Sequence, residues 1–311
     1  MSAPVESAPV RWMPEVEGVE HRYVDVGGVH LHVAEAGGGP ALLLIHGYPQ
    51  HWYVWHRLIP PLAERYRVIC PDLRGFGWSD APVAGYDKET LARDILALLD
   101  RLAIERCHVG GHDWGGWVAM LMAMLRPDRI ESVLAASIMH PFLRPGPALV
   151  LETWRVWHGV LLGTPALGSR ATRPSAIGVA IARWLGASSW SHDETETFLG
   201  QFEERPRAAA AHRLYSANGR VDFPRALAGR YRKMRLTVPT LIVLGDRDRA
   251  VFPWRPRDYE PYAPNLQVKR IAGGHALPEE QPELLRDIAL EFFSTQAGTD
   301  APALAGTGVP G

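Results

Sequence analysis

Six residues, Gly111-His112-Asp113-Trp114-Gly115-Gly116, hold the densest chemistry in the chain. A strand-like run around Cys107 to Gly110 leads into them and a helical pattern from Val118 to Leu125 follows, so Asp113 falls where a strand turns into a helix. The flanking glycines allow a strained turn and a close approach of neighbouring chain. A carboxylate held there faces the positive end of the next helix, which stabilises it and any anion formed beside it. It is already charged at neutral pH and can attack a saturated carbon without a general base. Taken alone, a glycine-flanked aspartate is more often a turn or a cap. Its partners decide the matter. Leu241 to Asp248 (LIVLGDRD) is an apolar strand pattern ending in a loop with two acids, Asp246 and Asp248, and Ile271 to His275 (IAGGH) sets a histidine just past the next strand. An alkyl ester on Asp113 would need such a histidine to activate water, and an acid to hold the imidazole's tautomer.

These residues need strands to present them. His21 to Gly37 alternates around Gly27-Gly28, a hairpin pattern, while ALLLI (Ala41 to Ile45) and RVICP (Arg67 to Pro71) suit strands covered on both faces. Trp52 to Arg65 has helical spacing, and Asp87 to Leu102 is a clearer helix with Asp87 as its N-cap. Ile130 to Ile138, Pro239 to Leu244 and Leu266 to Ile271 read as further strands, with a closing helix from Pro282 to Phe293. The alternation predicts an α/β protein with a mostly parallel, doubly wound sheet. The strand pattern lapses after the sixth strand. The expected organisation is a leader (1–20), a sheet domain (21–139 and 236–295) interrupted by a helical lid (140–235), and a disordered tail (296–311).

Composition excludes several classes of function. Thirty-three basic and thirty-four acidic residues leave a formal charge of −1, with no whole-chain field for nucleic acid or anionic lipid. Only Lys88, Lys233 and Lys269 are lysines. The two cysteines, Cys70 and Cys107, are too few for a disulfide framework or a four-thiolate metal site. No metal or cofactor is expected. The N-terminal residues lack the pattern of a secretory signal, and no apolar run approaches transmembrane length, which predicts a cytoplasmic protein.

The order nucleophile, acid, histidine is that of the α/β-hydrolase triad. The chain resembles that superfamily from about residue 20 to 295, most strongly in HGYPQHWYVWHRLIPPLAERYRVICPDLRGFGWSD and GGHDWGGWVAMLMAMLRPDRI. Within it the aspartate-nucleophile branch of epoxide hydrolases and haloalkane dehalogenases is the nearest in pattern. The resemblance implies an α/β-hydrolase fold with Asp113 as nucleophile, His275 as base and Asp248, in the G-x-x-D pattern, as its acid. It implies an oxyanion hole from the backbone N–H groups of Tyr48 and Trp114. An aromatic third residue in His46-Gly47-Tyr48-Pro49 is common in epoxide hydrolases, where haloalkane dehalogenases typically carry asparagine. Fluoroacetate dehalogenases carry arginine after the nucleophile; here it is Trp114. Both departures favour an epoxide hydrolase.

Opening an epoxide needs a proton donor, and the family uses lid tyrosines, usually two. Tyr215 matches one of them, with Tyr231 a weaker candidate. The other is missing, since Trp154 to Thr164 contains no tyrosine, and His158 stands nearby as a substitute. His46, Trp154 and His158 are the expected pocket residues, His46 more as an organiser of its loop. The expected ligand is a small apolar epoxide or a halogenated substrate, with no nucleic-acid or membrane partner and a homodimer as the assembly to consider. The alternatives are a haloalkane or haloacid dehalogenase using the same nucleophile, with Trp114 and Trp154 or Trp157 as halide donors, and a catalytically weak relative that only binds its ligand.

Overall fold

The computed structural model describes residues 12–296, except 166, 174, 187–188 and 252–255. Residues 1–11 of the expected leader and 297–311 of the expected tail lie outside the described residues. Eight strands form one sheet: β1 (Glu20–Asp25), β2 (His30–Ala36), β3 (Ala41–Ile45), β4 (Arg67–Pro71), β5 (Cys107–His112), β6 (Ile130–Ala136), β7 (Thr240–Gly245) and β8 (Leu266–Ile271), in the order 1-2-4-3-5-6-7-8. The β1–β2 and β2–β4 pairings are antiparallel and every later pairing is parallel. β3 and β7, apolar but for Thr240, are covered on both faces, as parallel central strands must be.

Register sets the site. Ile45 pairs with Gly111, His112 and Val243 both pair with Ala136, and Gly245 pairs with Ile271, so β3, β5, β7 and β8 end along one edge of the sheet. The loops after those strands carry the four chemical motifs. This is the edge at which open parallel sheets bind ligands.

The helix after β4 starts as its sequence predicts, with the Asp87 side chain accepting the Thr90 N–H and the body running Lys88–Arg101. The Trp52 to Arg65 stretch is not one helix. A 3-10 turn (Trp52–Trp55) and a short helix (Ile59–Ala63) share it, because Pro60 and Pro61 supply no backbone N–H to continue the first turn into the second.

Between β6 and β7 the described residues form helices and no strand; the longer ones are Trp157–Gly163, Ala176–Trp184, His192–Gly200 and Arg205–Ala217. Ser191 and Glu194 close a capping box at the start of the third. This segment is tied to the sheet domain by Gln201, whose amide donates to the Pro49 carbonyl (2.7 Å) and accepts the Gly77 N–H (2.9 Å). His212 donates to the Leu162 carbonyl at 2.9 Å, locking Arg205–Ala217 against Trp157–Gly163. Among the described residues no helix is long and apolar enough to cross a membrane.

Candidate active site

Asp113 sits at the turn between β5 and the helix Trp114–Leu125 with φ 49° and ψ −125°, a conformation that non-glycine residues rarely adopt. The neighbours make room for it. A Cβ on Gly115 would lie 2.1 Å from the Ile45 carbonyl oxygen, and one on Gly111 would lie 2.5 Å from the Gly115 backbone. The chain can cross itself this tightly only where both positions lack side chains.

The two carboxylate oxygens of Asp113 have different surroundings. Oδ2 accepts the Tyr48 backbone N–H at 3.0 Å, and the Trp114 N–H is a second amide hydrogen bond favouring its charge. Oδ1 faces His275, whose Nε2 is 3.7 Å away. Burial raises the Asp113 pKa above the ordinary 3.8, while His275, the two amides and Lys88 oppose that rise. One oxygen is therefore held by the Tyr48 amide and the other lies beside the imidazole.

His275 donates from Nδ1 to Asp248 Oδ2 at 2.9 Å. Nε2 has no hydrogen-bond partner among the described residues. Burial by itself lowers an imidazole, but the Asp248 charge and hydrogen bond, with Asp113 and Glu279, raise His275 to about 9. Asp248 stays below the ordinary carboxylate range despite burial, through the His275 charge and hydrogen bond and the Ala250 and Val251 N–H groups. Asp246, the other acid of the loop, is half-exposed beside Arg247 and accepts the Gly273 N–H instead.

Tyr215 is buried at the far side, its ring 5.0 Å from that of Tyr48 and 5.8 Å from that of Trp114, both near-perpendicular. Burial, then Asp113 and Tyr48, hold its hydroxyl well above the ordinary phenol, so it keeps its proton. His158 is also buried, edge-on to Tyr215 at 5.9 Å, with Nδ1 unpartnered among the described residues. Burial and the His275 charge push it down to about 4, so it is neutral near pH 7.

Of the other expected pocket residues, His46 is the organiser of its loop and Trp154 faces outward. His46 has no ring nitrogen left for a substrate: Nδ1 donates to the Gly47 carbonyl (2.9 Å) and Nε2 accepts the Leu73 N–H (2.9 Å). It orders its loop. Trp154 is 53% exposed, packed edge-on against Trp184 with Arg155 over its face, on the outer side of the helical segment. Tyr231 is buried behind the site against Trp117.

The sequence reading missed a supporting chain. His112, held neutral by burial (pushed down to about 3), donates from Nε2 to the His275 carbonyl at 2.8 Å. Its Nδ1 lies 3.1 Å from the Gln50 side-chain amide, which reaches on to Glu279. Trp190 Nε1 donates to the same Glu279 carboxyl at 2.9 Å. Burial raises Glu279 to about 8, so it is mostly protonated at neutral pH. The loop carrying His275 is thereby fixed from behind by His112, Gln50 and Glu279. Also missed were Lys88 and Asp222, a fully buried ion pair at 3.4 Å whose ammonium lies over the Trp114 ring.

An aspartate on a strained strand-to-helix turn, an acid and a histidine on the next two strand-end loops, and a sheet of this order define a class of hydrolytic enzyme. The alpha/beta hydrolase fold family matches residues 40–282, and the chain belongs to that family. It is 30% identical over 293 residues to the soluble epoxide hydrolase of Corynebacterium sp. (strain C12), covering 89% of this chain and 98% of that protein. It is 30% identical over 297 residues to the fluoroacetate dehalogenase of Burkholderia sp., covering 89% and 95%. The solved structure of the epoxide hydrolase CorEH matches with a TM-score of 0.77 at 27% identity, covering 89% of this chain and 99% of that one. The chain is an epoxide hydrolase-like enzyme.

Proposed function

We propose that the enzyme opens small apolar epoxides to vicinal diols through an alkyl ester on Asp113. The observation that carries this reading is the asymmetry of the Asp113 carboxylate, with Oδ2 on the Tyr48 amide and Oδ1 beside His275. Oδ1 attacks an epoxide carbon, the C–O bond breaks, and the departing alkoxide takes a proton from Tyr215, with His158 as a second hydrogen-bond donor. Alkylation cancels the Asp113 charge, one of the groups that hold His275 up near 9. The His275 pKa then falls, and the imidazole becomes a base at neutral pH just when a base is needed. Its Nε2 takes a proton from water attacking the ester carbon, and the charge that develops on Oδ2 meets the Tyr48 and Trp114 amides, each worth about 3 kcal/mol. Collapse releases the diol, with the His275 proton going to the leaving alkoxide, and the proton left on the new Asp113 carboxyl passes to solvent while the Tyr215 phenolate takes one back, which restores both groups.

Halide release from the same nucleophile is the second reading, favoured by the similarity to a fluoroacetate dehalogenase and by the Trp114 indole beside Tyr215. Fluoroacetate itself fits poorly, because the residue after the nucleophile is an indole and not a guanidinium. Incubation with styrene oxide, 1-bromobutane and fluoroacetate separates the readings. Diol from the first alone is the expected result, and halide from the others without diol would replace it.

Tyr215→Phe keeps the ring packing and removes the proton. Its expected effect is a fall in the ester-forming rate on the order of 10²-fold, the lower end for a general acid because His158 remains as a donor. Rapid-quench kinetics with styrene oxide checks this, and an unchanged rate would remove Tyr215 from the reaction.

A further inference from the structure

Lys88 occupies a position that a merely structural residue would avoid. It is the first residue of the helix Lys88–Arg101, where the positive end of the helix repels a cation. Its side chain is also fully buried, and desolvation opposes its charge. Asp222 offsets both costs, accepting the Lys88 backbone N–H at 3.1 Å and pairing with its ammonium at 3.4 Å. Yet Asp222 could cap the helix start without any lysine there. What the lysine adds is a cation against the elbow: Nζ lies 4.1 Å from the centre of the Trp114 ring, on the residue next to the nucleophile. Asp222 belongs to a π-helical turn (Asn218–Asp222) that directly follows the helix carrying Tyr215. Such turns recur at functional sites.

We propose that Lys88 is a positioning residue for ester formation: stacked beneath Trp114 and anchored by Asp222, it supplies the buried positive charge that balances the Asp113 carboxylate and ties the elbow to the Tyr215 segment. This rests on Asp113 being the nucleophile. The groups facing Asp113 come from five elements: the Tyr48 amide and phenol, the Trp114 amide, His275, Tyr215, and Lys88. Those facing Lys88 are Asp222, Asp113 and Asp87. Glu89, next in the chain, is engaged by Arg230 and Arg93. His275 and Lys88 are thus the two cations among the groups that face the nucleophile.

The test reads Asp113 directly, by ¹³C NMR of carboxyl-labelled aspartate with the signal assigned through Asp113→Ala, and needs no substrate. Lys88→Met is expected to raise the Asp113 ionisation midpoint on the order of half to one pH unit, and Lys88→Arg, which keeps a cation opposite Asp222, is expected not to raise it. Should Lys88→Met fail to fold, the double variant Lys88→Met/Asp222→Leu replaces the pair with apolar groups, a change buried pairs often tolerate, and the midpoint should still rise. A midpoint unchanged without Lys88, or one raised equally by Lys88→Arg, overturns the inference. The acid limb of kcat/KM for styrene oxide should follow the same order. A wild-type enzyme with no diol product would instead defeat the proposed function and leave the NMR result standing.

Discussion

Replacing His275 with glutamine is expected to stop the enzyme after its first chemical step. Oδ1 of Asp113 still attacks, so the ester forms, but Nε2 is no longer there to take a proton from water. Turnover should fall by roughly 10²–10⁴-fold, the range for losing a general base. The burst of ring opening should persist, at an altered rate because the imidazolium beside Asp113 is also lost. Intact-mass spectrometry after incubation with styrene oxide should show one added substrate mass, and peptide mapping should place it on Asp113. An adduct on another residue would refute the assignment of roles. The two chemical steps have opposite pH dependences. In the wild type, ester formation needs ionised Asp113 and is lost as pH falls through a pKa that burial has raised above 3.8. Ester hydrolysis needs neutral His275 and therefore strengthens as pH rises through the imidazole's pKa in the ester, which lies below the resting value of about 9. Stopped-flow separation of the two phases checks both signs.

Asp113→Ala should have the largest effect of any single change. It removes the nucleophile while the Tyr48 and Trp114 amides, Tyr215 and His275 all remain. Loss of a nucleophile in a hydrolase of this kind costs on the order of 10⁶-fold in kcat, so residual diol should be indistinguishable from spontaneous hydrolysis. Folding should survive. Asp113 holds an unfavourable φ of 49°, and its carboxylate is buried against a cost that only the active site recovers. Alanine keeps the backbone strain but discards the buried charge, so a melting temperature equal to or above that of the wild type is expected. A variant that still turned over epoxide through a detectable ester would exclude Asp113 as nucleophile.

How much of this could be read in the sequence depended on distance along the chain. Asp113, Asp248 and His275 were legible because each follows its own apolar strand, and the fold brings successive strand ends to one edge. Tyr215 was legible through its match to a family tyrosine in the helical segment, and its ring packs against those of Tyr48 and Trp114. Trp154 was misplaced because a short motif does not say which way a ring points. The loop turns both His46 nitrogens to the backbone, and the helical segment turns Trp154 outward. Lys88 and Asp222 are 134 residues apart, and Gln50 and Glu279 are 229 apart, so neither contact has a local signature. One clue existed for Lys88, in a chain with only three lysines, one of them at the wrong end of a helix for its charge.

The central claim is that the oxygen delivered to the diol comes from the Asp113 carboxylate, which is then replenished by water. Repeated turnover of styrene oxide in H₂¹⁸O, followed by digestion and mass spectrometry of the peptide containing Asp113, tests it most directly. The account predicts heavy oxygen accumulating in the Asp113 side chain, and in a single turnover with excess enzyme it predicts unlabelled diol. Labelled diol from a single turnover, with Asp113 still carrying its original oxygens after many cycles, would contradict it.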